Sequence, residues 1–499
     1  MENIKEEKIY TIPLNVQNHN LYVKIVDGEV SYLVDDAISF LTPFIKIMKN
    51  NNCIDIYLLS KKCFSIENGV VNQHTSYVTS TELRNISEMI RNNSNENFTI
   101  NQGYFSRSGL MLDDSLNTEL HTHLIEMLDG ASFINFVRRF NGNLRLNTNG
   151  VFDFREGNYF TVDEVKEVPG LYNFVISQLE IPVNRVGDFL ELEKKVENRT
   201  RLLLDVITLF ASSNGLGSIE EARELVTKVL LHDSLIYLRN SGVKYVEISH
   251  SNLKLITGIL NSLDEVFYND ISGIDFRFLL SSSRLRSAKD FRQSGRYLDG
   301  ALSNKSVVGF DIMGLESKFS SGDLEQGNRD SLYKKLLPII TSLSKYDNSV
   351  LRLHSGEFVN TDTNTEQLLE VIASIEADLK ITIPPPEIRI GHGIHIDKSP
   401  RLIELMRRYN CIVEINASSN FALHNIENLR EIPYKFYIEN GIRVVLSTDG
   451  GGFYGTTPSQ EKFIAQTFAR DELDRIVLDD KNIYQQKIGG VIHDKSTRR

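Results

Sequence analysis

The chain has 499 residues, of which 41% are hydrophobic and 24% are charged, as expected for a globular protein with a large core. Its formal charge of −11 argues against a surface that binds a nucleic-acid polyanion, although a small phosphorylated ligand needs only a local basic pocket. The cysteines Cys53, Cys63 and Cys411 are too few and too scattered for a disulfide framework, so they indicate a reducing compartment.

The amino terminus, MENIKEEKIY, alternates in charge and has no apolar signal-peptide core. No later run approaches the roughly 18 apolar residues of a membrane span. We therefore expect a cytoplasmic protein with no membrane and no nucleic-acid partner.

Residues 1–112 are predicted to form a small accessory α+β domain. A helix is expected near 36–49, and the polar stretch 90–103 resembles a domain boundary. The candidate strands of this unit are 8–14, 20–26 and 53–59.

From residue 113 to 499, short β-branched runs alternate with longer helical patterns, which indicates βαβ units. The eight runs are 115–121, 244–249, 275–281, 307–313, 350–354, 387–392, 411–416 and 442–447. This pattern predicts an α/β fold, a (β/α)₈ barrel of the TIM type. The long first connection predicts an insertion at about 141–215.

The polar residues with chemical potential follow the ends of four of these runs, where such a barrel holds its active site. They are His121 and His123, His354 and Glu357, His392, and Asp449. Alternate residues of a strand share a face, so the first two histidines can be aimed at one ion. An isolated pair would more often be packing histidines; several imidazoles with a carboxylate suit zinc or another divalent ion.

The ordered motifs ELHTHL, HSGE, RIGHG, NASSN and VVLSTD resemble the adenosine/AMP deaminase family of metal-dependent hydrolases. The segments VKYVEISHS and VVGFDIMGLE also fit strands two and four of that family. The resemblance covers about residues 113–470. It implies one Zn²⁺, or another divalent metal, per chain, with His121, His123, His354 and Asp449 as the ligands.

The same resemblance implies the remaining roles. Glu357 would protonate purine N1, His392 would stabilise the attack of the metal-activated water, and Asp449 would also orient that water. Gly314 would offer its backbone to the purine. Collapse of the C6 intermediate would release ammonia and leave a 6-oxopurine.

Two departures from the family pattern bear on the substrate. Gly450 stands where the family usually has a second acidic residue that contacts the purine. HTHL is followed by IEMLDG, and the segment as far as FINFVRR resembles the AMP deaminase branch. We therefore expect AMP or dAMP as the substrate, with Arg284 and Arg286 as candidate phosphate contacts.

Other functions stay open at this point. Adenosine, deoxyadenosine or adenine is the alternative substrate. A protein of another class would bind a purine nucleotide as a sensor, with the amino-terminal unit driving assembly, and the resemblance leaves room for a role in bacterial phage defence. A homo-oligomer is expected in either case.

Overall fold

The structure is a computed structural model. The residues that it describes are 7–13, 20–26, 29–34, 45–50, 53–58, 61–68, 70–74, 116–168, 170–181, 189–213, 218–263, 265–303, 306–314, 316, 326–379, 386–426 and 428–489. The predicted boundary near residue 112 lies outside them.

The described part of the amino-terminal region consists of two antiparallel sheets, three-stranded and four-stranded. Their strands are β1 Glu7–Pro13, β2 Asn20–Val26, β3 Glu29–Val34, β4 Ile45–Asn50, β5 Cys53–Leu58, β6 Lys61–Glu67 and β7 Val70–Gln73. The strand predictions are confirmed.

The helix predicted near 36–49 is wrong over its second half, where β4 pairs with β5 from Ile45↔Leu58 to Asn50↔Cys53. The run IKIMKN alternates Ile45 and Ile47 with Lys46, and period-two alternation favours a strand. Residues 35–44 lie outside the described ranges.

All eight predicted barrel runs are strands of one parallel sheet, ordered as in the sequence. They are β8 Thr118–His123, β11 Tyr245–His250, β12 Asp275–Ser283, β13 Val307–Met313, β14 Val350–Ser355, β15 Glu387–His392, β16 Ile412–Ile415 and β17 Arg443–Leu446. Beyond β17, the Asp449 amide donates to the His121 carbonyl at 2.9 Å, so the last strand end meets the first. The predicted (β/α)₈ barrel is confirmed.

The long connection from β8 to β11 contains a hairpin and a group of helices. It comprises α1 Gly130–Arg139, β9 Asn143–Leu146, β10 Asn158–Thr161, α2 Val162–Glu167, α3 Leu171–Ser177, α4 Phe189–Ser213 and α5 Ile219–Asn240. Apolar residues of α1, α5 and β9 form a buried cluster with the outer faces of β11 and β12.

The remaining helices surround the barrel. They are α6 Leu253–Ser262, α7 Glu265–Asp270, α8 Ala288–Ala301, α9 Gln326–Leu343, α10 Asn364–Leu379, α11 Pro400–Arg408, α12 Ala417–Ala422, α13 Tyr434–Glu439, α14 Gly451–Tyr454, α15 Pro458–Phe468 and α16 Leu473–Gly489. Ser399 caps α11 by accepting from Leu402 N at 2.9 Å, and Pro400 occupies its first turn. None of the helices in the described ranges is long and apolar enough to cross a bilayer.

The last helix fixes the beginning of the first barrel strand. Asp480 of α16 accepts from the backbone amides of Asn117 and Thr118 at 2.8 and 3.0 Å. This contact lies at the amino end of β8, so the opposite end, which bears the predicted site residues, is left to the βα loops.

Candidate metal centre

The four predicted metal ligands lie together at the carboxyl end of the barrel. His121 Nε2 is 2.9 Å from His354 Nε2 and 3.3 Å from Asp449 Oδ1. His123 Nε2 is 3.6 Å from the same carboxylate oxygen. Side chains from β8, from β14 and from the loop after β17 therefore converge on one point.

His392 lies in the same cluster. One ligand atom from each of His121, His354, His392 and Asp449 falls within 4.8 Å of the others, and all four residues are buried. His123 instead groups with Asp311 and His354. The geometry thus offers both His123 and His392 as neighbours of an ion.

The donor set fits a divalent metal. His354 Nδ1 lies 3.0 Å from Asp311 Oδ1, and His121 Nδ1 lies 3.0 Å from Glu414 Oε2. A carboxylate that accepts a hydrogen bond from Nδ1 of each ring leaves the Nε2 atom of that ring available to a metal ion. Although burial would lower the pKa of His121, Asp449 and Glu414 raise it to about 9. With its Nε2 only 2.9 Å from His354 Nε2, the site favours a positive charge beside the two rings, which a divalent metal would supply.

One arginine links the two carboxylates that orient these histidines. Arg352, on β14, places Nε 2.9 Å from Glu414 Oε2 and Nη1 3.4 Å from Asp311 Oδ2. All three side chains are fully buried. Arg352 and His354 are two residues apart on β14 and therefore face the barrel interior together.

The sequence analysis missed these supporting residues. Their signal is a charged residue within an otherwise apolar run, as in VVGFDIM, VLRLH and CIVEIN. A charge that a strand buries needs a partner, so such residues indicate ion pairs inside the barrel. Asp311, Arg352 and Glu414 are those residues.

The backbone is in a left-handed conformation at two residues of the cluster. His392 has a φ of 72° and Asp449 a φ of 66°. Non-glycine residues seldom adopt this region, and strained residues of this kind concentrate at functional sites. The strain turns both side chains inward at the ends of their strands.

Glu357 provides a buried carboxyl group beside the cluster. Its Oε2 lies 3.6 Å from His392 Nε2, and its backbone amide donates to Glu316 Oε2 at 3.0 Å. Burial raises the pKa of Glu357 well above its usual value, and the negative charges of Asp449 and Glu316 add to this effect. The raised pKa favours the protonated form of this carboxyl.

His392 is held as a neutral imidazole. Burial lowers its pKa well below the usual histidine value, against the opposing charge of Asp449. Its Nδ1 accepts a hydrogen bond from Asn420 Nδ2 at 3.0 Å. The ring proton is thus on Nε2, which faces Glu357 and has no hydrogen-bond partner among the described residues.

Asp449 has the opposite ionisation. Although burial alone would raise the pKa of its carboxyl, the contact with His121, whose own pKa is raised to about 9, holds the Asp449 pKa well below its usual range. The group is a carboxylate at neutral pH, as a metal ligand must be.

The predicted substrate contacts occupy different positions. Gly314 directly follows β13 with a φ of 96°, and a Cβ atom there would lie 3.0 Å from Ser283 Oγ. Arg284 donates to the His354 carbonyl and lies 3.8 Å from Glu316, so its guanidinium contacts the backbone and a buried carboxylate beside the site. Arg286 is exposed and lines a cavity of about 960 Å³, whose walls include residues of α6 and α8.

The chain is similar in sequence to known proteins. Residues 240–478 match the adenosine deaminase family model. The chain is 24% identical to an adenosine deaminase of Enterococcus faecalis over 250 residues, which cover 46% of this chain and 62% of that protein. It is 23% identical to a bovine N6-methyl-AMP deaminase over 304 residues, 58% of this chain and 77% of that protein.

Among solved structures, an Arabidopsis N6-methyl-AMP deaminase aligns with a TM-score of 0.47 at 16% identity, covering 75% of this chain and 96% of the other. Fold and site together define a (β/α)₈ barrel with a buried histidine–aspartate cluster at its strand ends. The family match over residues 240–478 confirms the resemblance predicted from the sequence.

Proposed function

We propose that the protein is a zinc-dependent hydrolytic deaminase that converts the 6-amino group of AMP or dAMP to a 6-oxo group. The observation that carries this proposal is the buried Glu357 carboxyl, 3.6 Å from His392 Nε2 beside the ligand cluster, where burial raises its pKa. A protein that only binds a purine needs no proton donor at this position.

One metal ion per chain is held by His121, His123, His354 and Asp449, with zinc favoured by the imidazole-rich donor set. When bound, the ion lowers the pKa of a coordinated water to about 7 and so supplies a nucleophile at neutral pH. Asp311 and Glu414 fix the ring orientation of His354 and His121.

The protein's own side chains divide the proton transfers among them. Glu357 donates its proton to purine N1, which makes C6 electrophilic. His392 offers its Nε2 proton to the oxygen that adds to C6 and stabilises the developing charge. Asp449, ionised at neutral pH, accepts a hydrogen bond from the attacking water.

The reaction is balanced with water as the only co-reactant. A C6–O bond forms, the C6–N6 bond breaks, and the leaving nitrogen departs as ammonia after it gains a proton from the site. The product is the hypoxanthine nucleotide, which retains the ribose and phosphate of the substrate.

The nucleotide is the favoured substrate class for two reasons. The relatives include N6-methyl-AMP deaminases of cattle and zebrafish, and the alignments with this chain cover 77% and 73% of those proteins. Arg286 is exposed after β12, at the barrel end that bears the site, and is free to contact a 5′-phosphate. Adenosine is the second candidate, because the relative from Enterococcus faecalis is an adenosine deaminase.

A panel of AMP, dAMP, adenosine, deoxyadenosine and adenine, assayed for ammonia, tests the proposal. We expect kcat/KM for AMP or dAMP to exceed that for adenosine by at least about tenfold, or roughly 1.4 kcal/mol of transition-state binding. Arg286→Ala should narrow that difference, and the exposed Arg296→Ala on α8 is the matched control. Equal kcat/KM values for adenosine and AMP would contradict the nucleotide preference and make adenosine the favoured substrate.

A further inference from the structure

A carboxyl group that the proposed mechanism does not use lies beside the metal centre. Glu126 ends the single turn of 3₁₀ helix, Leu124–Glu126, that follows β8. A Cβ atom built on Gly450 would lie 2.8 Å from both Cβ and Oε2 of Glu126. The Glu126 side chain therefore fills the space that any side chain at position 450 would need, next in sequence to Asp449.

Backbone contacts on both sides hold Glu126 in this position. Arg199 of α4 donates from Nη1 to the carbonyls of Ile125 and Leu128 at 2.9 and 2.7 Å. A Cβ atom on Gly452 would lie 1.9 Å from the Leu128 carbonyl carbon, so the absence of a side chain there allows the two segments to touch. The glycines after Asp449 thus serve the approach of the Glu126 segment.

The surroundings place Glu126 and Glu357 around one space. Burial and the charge of Asp449 raise the pKa of the buried Tyr454 well above its usual value, and Glu126 and Glu357 both lie near enough to Tyr454 to add to this effect when they are ionised. The barrel order runs β14, β15, β16, β17, β8. Glu357 follows β14 and Glu126 follows β8, so the strand ends that bear His392 and Asp449 lie between the two glutamates along the barrel. The Glu126 oxygens have no hydrogen-bond partner among the described residues.

The chemistry of the purine supplies a role for this second carboxyl. C6 is flanked by N1 on one side and, across C5, by N7 on the other. If Glu357 serves N1, a carboxyl on the far side of Asp449 faces N7. N7 is a hydrogen-bond acceptor, so its partner must be a donor.

We propose that Glu126 binds N7 of the substrate purine and so determines base specificity, an inference that rests on the proposed deaminase function. The carboxyl is suited to donate, because burial, with the charge of Asp449, raises the pKa of Glu126 to about 8. The Glu126 side chain, which follows β8, thus occupies the space beside Gly450 that has no side chain from the loop after β17.

Comparison of AMP with 7-deaza-AMP, which lacks the N7 acceptor, tests the contact. We expect the deaza change to lower kcat/KM of the wild type by at least about tenfold, the value of one good hydrogen bond. Glu126→Ala should lower kcat/KM for AMP by a similar factor. In that variant the kcat/KM values for AMP and 7-deaza-AMP should agree within about twofold. Glu126→Gln, whose amide still donates, should keep the preference for AMP, and the exposed Glu167→Gln on α2 is the control.

A reciprocal exchange tests the shared position. Gly450→Asp alone should impair the protein, because its Cβ meets Glu126. Glu126→Gly removes both the Cβ and the carboxyl that block the site, so Glu126→Gly with Gly450→Asp should recover activity and the N7 preference lost in Glu126→Gly alone. If the double variant is no more active than either single variant, the two positions do not share one space and this part of the proposal is overturned.

Product binding separates this proposal from the proposed function. Calorimetry of the metal-loaded protein with IMP and 7-deaza-IMP should show tighter binding of IMP to the wild type, with equal metal content in Glu126→Ala. Loss of that difference in Glu126→Ala supports the contact; an unchanged difference overturns it. If the protein binds IMP but deaminates no aminopurine, the deaminase function fails, while the binding comparison still decides the role of Glu126.

Discussion

Glu357 and Asp449 are both buried carboxyl groups, yet the structure holds them in opposite ionisation states. Burial and nearby negative charges raise the pKa of Glu357, whereas the contact with His121 holds the pKa of Asp449 below its usual range. Acid and ligand are thereby assigned by environment rather than by residue type, a division expected of a site that must donate a proton at neutral pH.

Glu357→Gln should retain metal and fold while it loses most turnover, by about 10²-fold or more, since the amide cannot deliver a proton to N1. Metal analysis, circular dichroism and kcat measure the three quantities. Near-normal kcat would show that another group donates the proton.

The pH profile gives the same assignment an independent check. Because the pKa of Glu357 is raised, its acid form persists at neutral pH and is lost only as the pH rises through that raised value. We expect kcat/KM to stay level near neutrality and to fall on the alkaline side. A decline that begins near pH 4 to 5, the range of an ordinary carboxyl, would contradict this assignment.

The two candidate neighbours of the ion, His123 and His392, should respond differently to removal. We expect His123→Ala to lower metal content, because its Nε2 lies 3.6 Å from the liganding oxygen of Asp449. His392→Ala should retain metal and lose rate, because its Nε2 faces Glu357. Metal content and kcat, measured on both variants, decide the ligand set, and the reverse pattern would exchange the two roles.

At the scale of elements, the barrel strands carry charges inward as well as ligands. Arg352 on β14 joins Asp311 on β13 to Glu414 on β16, and each carboxylate holds a ligand histidine. An uncompensated buried charge costs several kcal/mol, so these residues depend on one another. The ligand geometry is a property of neighbouring strands together.

Asp311→Asn should weaken metal binding by about 10- to 100-fold, because the amide keeps the volume of the side chain but loses the charge that fixes the His354 ring. Competition with a chelator measures the change. Asp275→Asn is the matched control, since that side chain is 43% exposed at the other end of the barrel strands. Equal affinity in both variants would contradict the orienting role.

The sequence predicted the strands and the cluster of candidate ligands because both leave local patterns. Apolar runs of a few residues alternate with helices, and the histidines follow those runs at fixed spacing. Arg352 and Glu414 left a weaker signal, because a partner across the barrel cannot be read from local spacing. The six-residue β4 was assigned to a helix because its pairing with β5, rather than its short pattern, determines its structure.

At the scale of the whole molecule, the described amino-terminal sheets and the barrel have separate strand networks. All the candidate site residues lie after position 118. We propose that residues 1–112 form an accessory domain that acts in assembly, while residues 113–499 form the catalytic unit.

A chain that begins near residue 110 should therefore retain its metal and its kcat but lose its oligomeric state. Light scattering and kinetics of the shortened and full chains measure both properties. Unchanged assembly with unchanged kinetics would remove the assembly role from the first 112 residues.

The central claim, hydrolysis at a purine C6 by this cluster, is tested most directly by turnover of AMP in ¹⁸O-labelled water. We predict one ¹⁸O atom in each molecule of IMP and one ammonia released with it. Glu357→Gln, loaded with metal, should form almost no labelled product. If the metal-loaded wild-type protein forms no labelled IMP, or releases ammonia without forming labelled IMP, the account is contradicted.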